Sequence, residues 1–381
     1  MLFHFDSTPD RRASDSMKWG RYGADVLPLW VADMDFAAPP PVIAALQARL
    51  DHGVFGYGLE TDALDAAAVD YLLRRYGWRI EADWLMWLPG LVSGLNVVCK
   101  AVEGGVFTAT PVYPPFMSAP AHEHRTLTTV GLLDGEAGWR WDFAAVDQAL
   151  TQSGSKLWLL CHPHNPVGRA WNDEELAQIA ALAKKHDVVV CSDEIHCDLI
   201  LKSDHQHQPF AMLGEDAAQR SITLMAPSKT YNIPGLGAAW AVIPNPELRQ
   251  RFGQAMQGIV PHLNVMGMAA SVAALTDCDA WREALLAYLR GNARLVEDWV
   301  AATPGLRMHT VEATYLAWID AGEFCSRHGF ASTQDWCKAA GVALSAGSDF
   351  APGRGNFVRL NFGCPRPLLR EALARLSDRR A

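Results

Sequence analysis

The chain alternates between short, continuous apolar runs and longer stretches in which apolar positions recur every three or four residues. The runs are WLMWLP (84–89), GVFTAT (105–110), KLWLLC (156–161), DVVVCSD (187–193), SITLMAP (221–227) and GAAWAVI (237–243). They lack the strict alternation of a strand with one wet face. Such runs suit strands buried on both faces, as in a parallel sheet covered by helices. Strands that alternate with amphipathic helices predict an α/β fold.

The two ends of the chain read differently. Residues 1–36 form an irregular arm that ends in the apolar-acidic string LWVADMDF. PPPVIAALQARLDHG then carries proline at a helix start, a 3.6-residue apolar period and a glycine stop. Residues 63–76 make a second amphipathic helix. After about residue 244 the chain turns helical, through ELRQRFGQAM and a long segment from Cys278 to Ala302. Short strands follow near 306–320 and 356–362, and a closing helix after Pro367. The organisation expected is an arm and part of a small domain over 1–46, a large domain over 47–275 and a small α+β domain over 276–381.

Composition narrows the partners. Half of the 381 residues are hydrophobic, and the net charge of −9 comes without any run of Lys or Arg. Nucleic acid and anionic membranes are therefore poor partners. No apolar run approaches the ~20 residues that cross a bilayer. The first residues lack a basic segment followed by an apolar one, so a cytoplasmic protein is expected. The 8 cysteines form no CxxC pair and read as reduced, buried thiols. His162/His164 and His205/His207 each offer only a same-face pair, and no metal site is expected.

The chemistry gathers at strand ends. SITLMAPSKTYNIPG delivers Lys229 at the C-terminal end of one run, where α/β folds place ligands. A lysine there could be merely solvated, but its company changes the reading. DVVVCSDEIH puts Asp193 at the end of another run, followed by His196. KLWLLCHPHNPVG does the same for Asn165, in a turn stiffened by Pro163, Pro166 and Gly168. A lysine, a carboxylate and an amide thus face one rim. Lysine condenses with an aldehyde, a carboxylate keeps a pyridine nitrogen protonated, and an amide and an imidazole can bond a phenolic oxygen. In LPGLVSGLNVVCKAVEG a strand ends at Pro89-Gly90 and a helix begins near Leu91, whose free N–H groups suit a phosphate. Tyr113, in ATPVYPPF, is placed to stack on a ring. Core roles for Tyr113 and His196 are the plain alternatives.

These landmarks, together with Arg359 in FVRLNF, resemble fold-type-I pyridoxal-phosphate (PLP) enzymes of the class I/II aminotransferase superfamily, over nearly the whole chain. The opening FDSTPDRRASDSMKWG, then LPLWVADMDF, GYG and DEIH, are similar to the MalY/PatB subgroup of cystathionine β-lyases and C–S lyases. The resemblance implies a large PLP domain with a mostly parallel, seven-stranded-type sheet and a smaller α+β domain. It makes Lys229 the Schiff-base lysine and the base for the Cα proton, and Asp193 the partner of the pyridine nitrogen. Asn165 and His196 would bond the phenolic oxygen, and Tyr113 would stack on the ring. Leu91 and Val92 would offer N–H groups to the phosphate, Ser228 a hydroxyl, and Tyr57 would reach the phosphate of a neighbouring subunit in a homodimer. Arg359 would grip the substrate carboxylate.

The chain departs from the wider superfamily at two positions. Gly237 stands where many aminotransferases carry a phosphate-binding arginine, and Ala226 where Ser or Gly is usual. The missing arginine is typical of the C–S lyase branch. Loss of a thiolate from Cβ would yield pyruvate and ammonia; transamination with a 2-keto acid is the alternative, and no single residue dictates the branch. Asp33 and Asp35 lie in the arm expected to cross the site. They could repel acidic side chains or bind a distal substrate amine, or the arm could simply pack on the small domain.

Overall fold

The structure, a computed structural model, describes residues 3–7 and 9–377. Local signals set the first helices. Helix α1 (Pro40–His52) has proline in its first turn and ends at Gly53, whose φ of 74° provides the left-handed cap. Helix α2 (Asp62–Tyr76) is capped by the Thr61 side chain, which accepts from the Leu64 N–H. It carries Asp62 and Asp65 in its first turn and Arg74 and Arg75 in its last, each sign complementing the helix dipole.

All six apolar runs are strands of one sheet. These are β1 (Leu85–Leu88), β2 (Val106–Thr110), β4 (Leu157–Cys161), β5 (Val189–Asp193), β6 (Ser221–Met225) and β7 (Ala239–Val242). The seventh strand of the sheet that the resemblance implies is β3 (Leu127–Gly131), which is not among the six apolar runs. It lies at the edge beside β2 and is mostly half-exposed, so its residues carry little of the apolar signal that marked the others. The spatial order is β1-β7-β6-β5-β4-β2-β3. β7 runs antiparallel to both neighbours, and the remaining pairs are parallel. Every residue of β4 and β6 is buried, which explains their unbroken hydrophobicity.

A second, antiparallel sheet of order β8-β10-β9 lies later in the chain, from β8 (Leu316–Asp320), β9 (Ser345–Ala346) and β10 (Phe357–Asn361). The arm pairs with the same region of the chain: Leu27–Pro28 and Val342–Ala343 form a separate two-stranded parallel sheet. No helix among the described residues is long and apolar enough to cross a membrane. All 8 cysteines are buried and unpaired.

Candidate active site

Helix α3 (Leu91–Ala101) follows β1 directly, with the extended Gly90 as its N-cap and no side chain capping it. The first intrahelical bond at this end is from Gly94 N–H to Gly90 O, so the N–H groups of Leu91, Val92 and Ser93 point out of the helix without intrahelical partners. They border a cavity of about 270 Å³ whose lining also includes Ala32, Tyr113, Asn165, Asp193, His196, Ser228, Lys229 and Arg359. Thus the C-terminal ends of β1, β2, β4, β5 and β6 all deliver residues to one cavity, together with the arm and β10. Because β7 is antiparallel, its leading residues Gly237 and Ala238 arrive at the same rim.

Three ionisable groups meet here, Asp193 and Arg359 buried and Lys229 half-buried, and none has an ion-pair partner among the described residues. Burial, followed by the nearby Arg359 charge, brings the Lys229 amine down to about 8, against the opposing pull of Asp33 and Asp193. Burial pushes the Asp193 carboxyl up to about 7; among the described residues only the Ile195 N–H, at 3.2 Å, bonds it directly. Arg359 is brought down to about 10 by burial and remains a cation at neutral pH. Charges withdrawn from water are normally paired, so three unpaired ones around one cavity are what a ligand site requires.

Arg359 is held from both sides of its guanidinium. One Nη donates to Asn165 Oδ1 at 2.9 Å, and the other to Trp30 O at 2.9 Å and Ser345 Oγ at 3.3 Å. Its guanidinium lies 4.7 Å above the Phe350 ring centroid, and its buried Nε has no hydrogen-bond partner. His196 is kept neutral by burial and by Lys229 and Arg359, which bring it to about 3, and its Nδ1 is likewise unpartnered.

These features fit the cofactor expected from the sequence. Free helix-terminal N–H groups and Ser228 suit a phosphate. Asp193 suits a ring cation, and Lys229 an aldehyde. Gly237 explains the absent arginine: its φ is +58°, and a Cβ there would lie 3.2 Å from the Pro89 carbonyl oxygen. Only glycine meets both conditions without strain.

Other expected residues fall outside the cavity. Tyr57 is fully exposed, among the exposed Val54, Phe55 and Leu59. Asp33 is not among the lining residues; its Oδ2 pairs with Arg11 at 2.7 Å. Asp35 is buried in an ion pair with Lys18, also at 2.7 Å. His207 pairs with the buried Glu194 at 2.7 Å, and its ring stacks on His162 with centroids 4.4 Å apart. The sequence reading missed Ser93, Phe116 and Tyr315. Ser93 was open to detection as the third residue of an anion-binding helix. Tyr315 was not, since it comes from beside β8, more than eighty residues beyond Lys229.

Residues 24–376 match the family described as aminotransferase class I and II. The chain is 35 % identical over 386 residues to cystathionine β-lyase PatB of Bacillus subtilis, with 98 % of each chain covered. A crystal structure of OvoB superposes with a TM-score of 0.94 at 46 % identity, covering 99 % of both chains. The PLP-bound C–S lyase of Staphylococcus hominis superposes with a TM-score of 0.93 at 29 % identity, covering 100 % of this chain and 98 % of that one. The chain belongs to the class I and II aminotransferase family. Within it, the fold is that of the PLP-dependent enzymes with a seven-stranded mixed sheet.

Proposed function

We propose that this chain is a PLP-dependent C–S lyase. It would convert cysteine-derived thioethers, cystathionine among them, and one water into pyruvate, ammonia and a thiol. The observation that carries the reading is the meeting of half-buried Lys229 with buried Asp193 and Arg359 in one cavity, without ionic partners among the described residues. Each matches one group of the cofactor or of an amino-acid substrate. The elimination branch is supported by the names of the relatives and by Gly237 in place of a phosphate-binding arginine.

PLP, when bound, supplies the electron sink for the charge left at the substrate Cα. The chain supplies the rest. Arg359, fixed by Asn165, Trp30 and Ser345, binds the substrate carboxylate through two parallel N–H bonds. That contact orients the Cα–H bond toward Lys229. The neutral Lys229 amine takes the proton, and its position beside the site lets it return a proton to the departing thiolate. Asp193 would keep a proton on the ring nitrogen, while Asn165 and His196 would bond the phenolic oxygen. Tyr113 would cover the ring. Leu91, Val92 and Ser228 would hold the phosphate. Asp33 acts on Lys229 through its charge.

The proposal includes a homodimer. The exposed stretch 54–59 supports it, with Tyr57 reaching the partner's phosphate, as does the prevalence of two-fold assemblies. It also includes a cytoplasmic location, in keeping with eight unpaired thiols, and a division into the large and small domains expected from the sequence. The deciding experiment supplies L-cystathionine and S-alkyl cysteines without any keto acid and follows pyruvate, ammonia and thiol. Equal yields of all three are expected. Products that form only after a 2-keto acid is added would make the chain a transaminase instead.

A further inference from the structure

Two side chains donate to one backbone oxygen beside the cavity. Lys229 Nζ and the Tyr315 hydroxyl, the latter at 2.9 Å, both bond the Ala32 carbonyl. That carbonyl belongs to a strap, residues 30–36, whose other groups are fixed independently. Val31 O and Asp33 O each accept from Asn361 Nδ2 at 2.7 Å. Met34 N–H donates to Asn232 Oδ1 at 2.9 Å, and Met34 O accepts from Arg11 at 3.0 Å. The Ala32 oxygen is therefore held in place without help from Tyr315.

The position of Tyr315 is maintained against backbone strain. Thr314 is fully buried and β-branched, yet sits at φ +75°, in the left-handed region such residues avoid. The surrounding backbone enforces it. Glu312 and Ala313 N–H both donate to Gly168 O, Thr314 N–H donates to Leu199 O at 2.8 Å, and Leu316 N–H bonds Thr314 Oγ1 at 3.1 Å. The outcome sets the Tyr315 ring edge-on to His196 and aims its hydroxyl at the Ala32 oxygen.

We propose that Tyr315 is a positioning residue for Lys229: by occupying the Ala32 carbonyl oxygen it weakens the acceptor that would otherwise hold the lysine in its charged form. This rests on Lys229 being the base of the proposed reaction. In that step the substrate Cα–H bond breaks, an N–H bond forms at Nζ, and the electron pair stays with the substrate. The amine must start neutral. A hydrogen bond to the charged form favours that form, and an oxygen that already accepts an O–H is a poorer acceptor for the ammonium.

The other groups bearing on the lysine are Asp33 and Asp193, which favour its charge, and Arg359, which opposes it. His196 is neutral. Tyr315 itself feels Asp33 and Arg359, and burial keeps it protonated, so it is a donor at every working pH.

The test is Tyr315→Phe in the holoenzyme, which removes one hydroxyl and keeps the ring. Two rates are followed across pH: kcat, and exchange of the substrate Cα proton in deuterium oxide, which does not depend on the later branch. The acidic limb of both should move up by about half to one pH unit, giving a roughly 3–10-fold loss below the limb and recovery to wild-type rates above it. KM and the visible cofactor band should stay unchanged. A uniform loss at all pH values, an unmoved limb or a downward shift overturns the proposal. Lys229→Ala is the separate control. Persistent Cα exchange in that variant would overturn the base assignment itself, whereas its loss with an unmoved limb in Tyr315→Phe overturns only the role of Tyr315.

Discussion

Replacing Asp193 by Asn should stabilise the cofactor-free protein while crippling the enzyme. The two effects have one cause. Burial raises the folded-state carboxyl from its ordinary 3.8 to about 7. A group that binds its proton more tightly when folded contributes most favourably below its unfolded pKa, and that contribution is lost as pH rises through the folded value. At ~1.4 kcal/mol per unit, the wild-type penalty is about 1.5 kcal/mol at pH 5 and about 4 kcal/mol at pH 8. Asn carries no such penalty, and its Oδ1 can keep the bond from the Ile195 N–H. The stability advantage of the variant should therefore grow by about 3 kcal/mol between pH 5 and pH 8. Urea unfolding of both PLP-free proteins at the two pH values measures it. A difference that does not change with pH would refute the raised carboxyl. In the holoenzyme the sign reverses, because Asn cannot pair with a ring cation, and turnover should fall at least ~100-fold.

Three further outcomes follow from the same site. If Arg359 holds the substrate carboxylate as proposed, Arg359→Lys should raise KM for the amino acid roughly 10–100-fold with the cofactor spectrum unchanged, as steady-state kinetics would report. Tyr57→Phe should weaken PLP retention about 3–30-fold under dialysis, with kcat close to wild type at saturating PLP; unaltered retention would remove Tyr57 from the phosphate site. Gly237→Ala forces a side chain into a left-handed position against the Pro89 carbonyl, and should lower unfolding stability by about 1 kcal/mol or more in urea.

The legible parts of this molecule were those written in local pattern. Strands buried on both faces are apolar throughout, so β4, β5 and β6 stood out, and the residues that follow them were found at their ends. Edge strand β3 stayed hidden because water covers much of it, and LTTVG looks like a loop. Lys229, Asp193 and Asn165 were visible because each closes such a run. Tyr315 was not, because its aim depends on a φ that no threonine advertises. Nor does any sequence reveal that a main-chain oxygen, that of Ala32, is the acceptor for Lys229. The paired histidines gave a weak signal, and His207 turns inward to Glu194.

The strap has a consequence for how the protein is made. Its carbonyls at Val31 and Asp33 are held by Asn361, and that of Trp30 by Ser345 and Arg359, some three hundred residues later in translation. A ribosome can release most of the large sheet long before these contacts exist. A nascent chain thus exposes Lys229 side by side with an unclosed arm until Phe357–Asn361 emerges. Chains shortened ahead of Phe357 should keep much of the seven-stranded sheet yet lack the contacts of Arg359 and Asn361 to the strap, which makes the strand Phe357–Asn361 the step that closes the arm over the cavity.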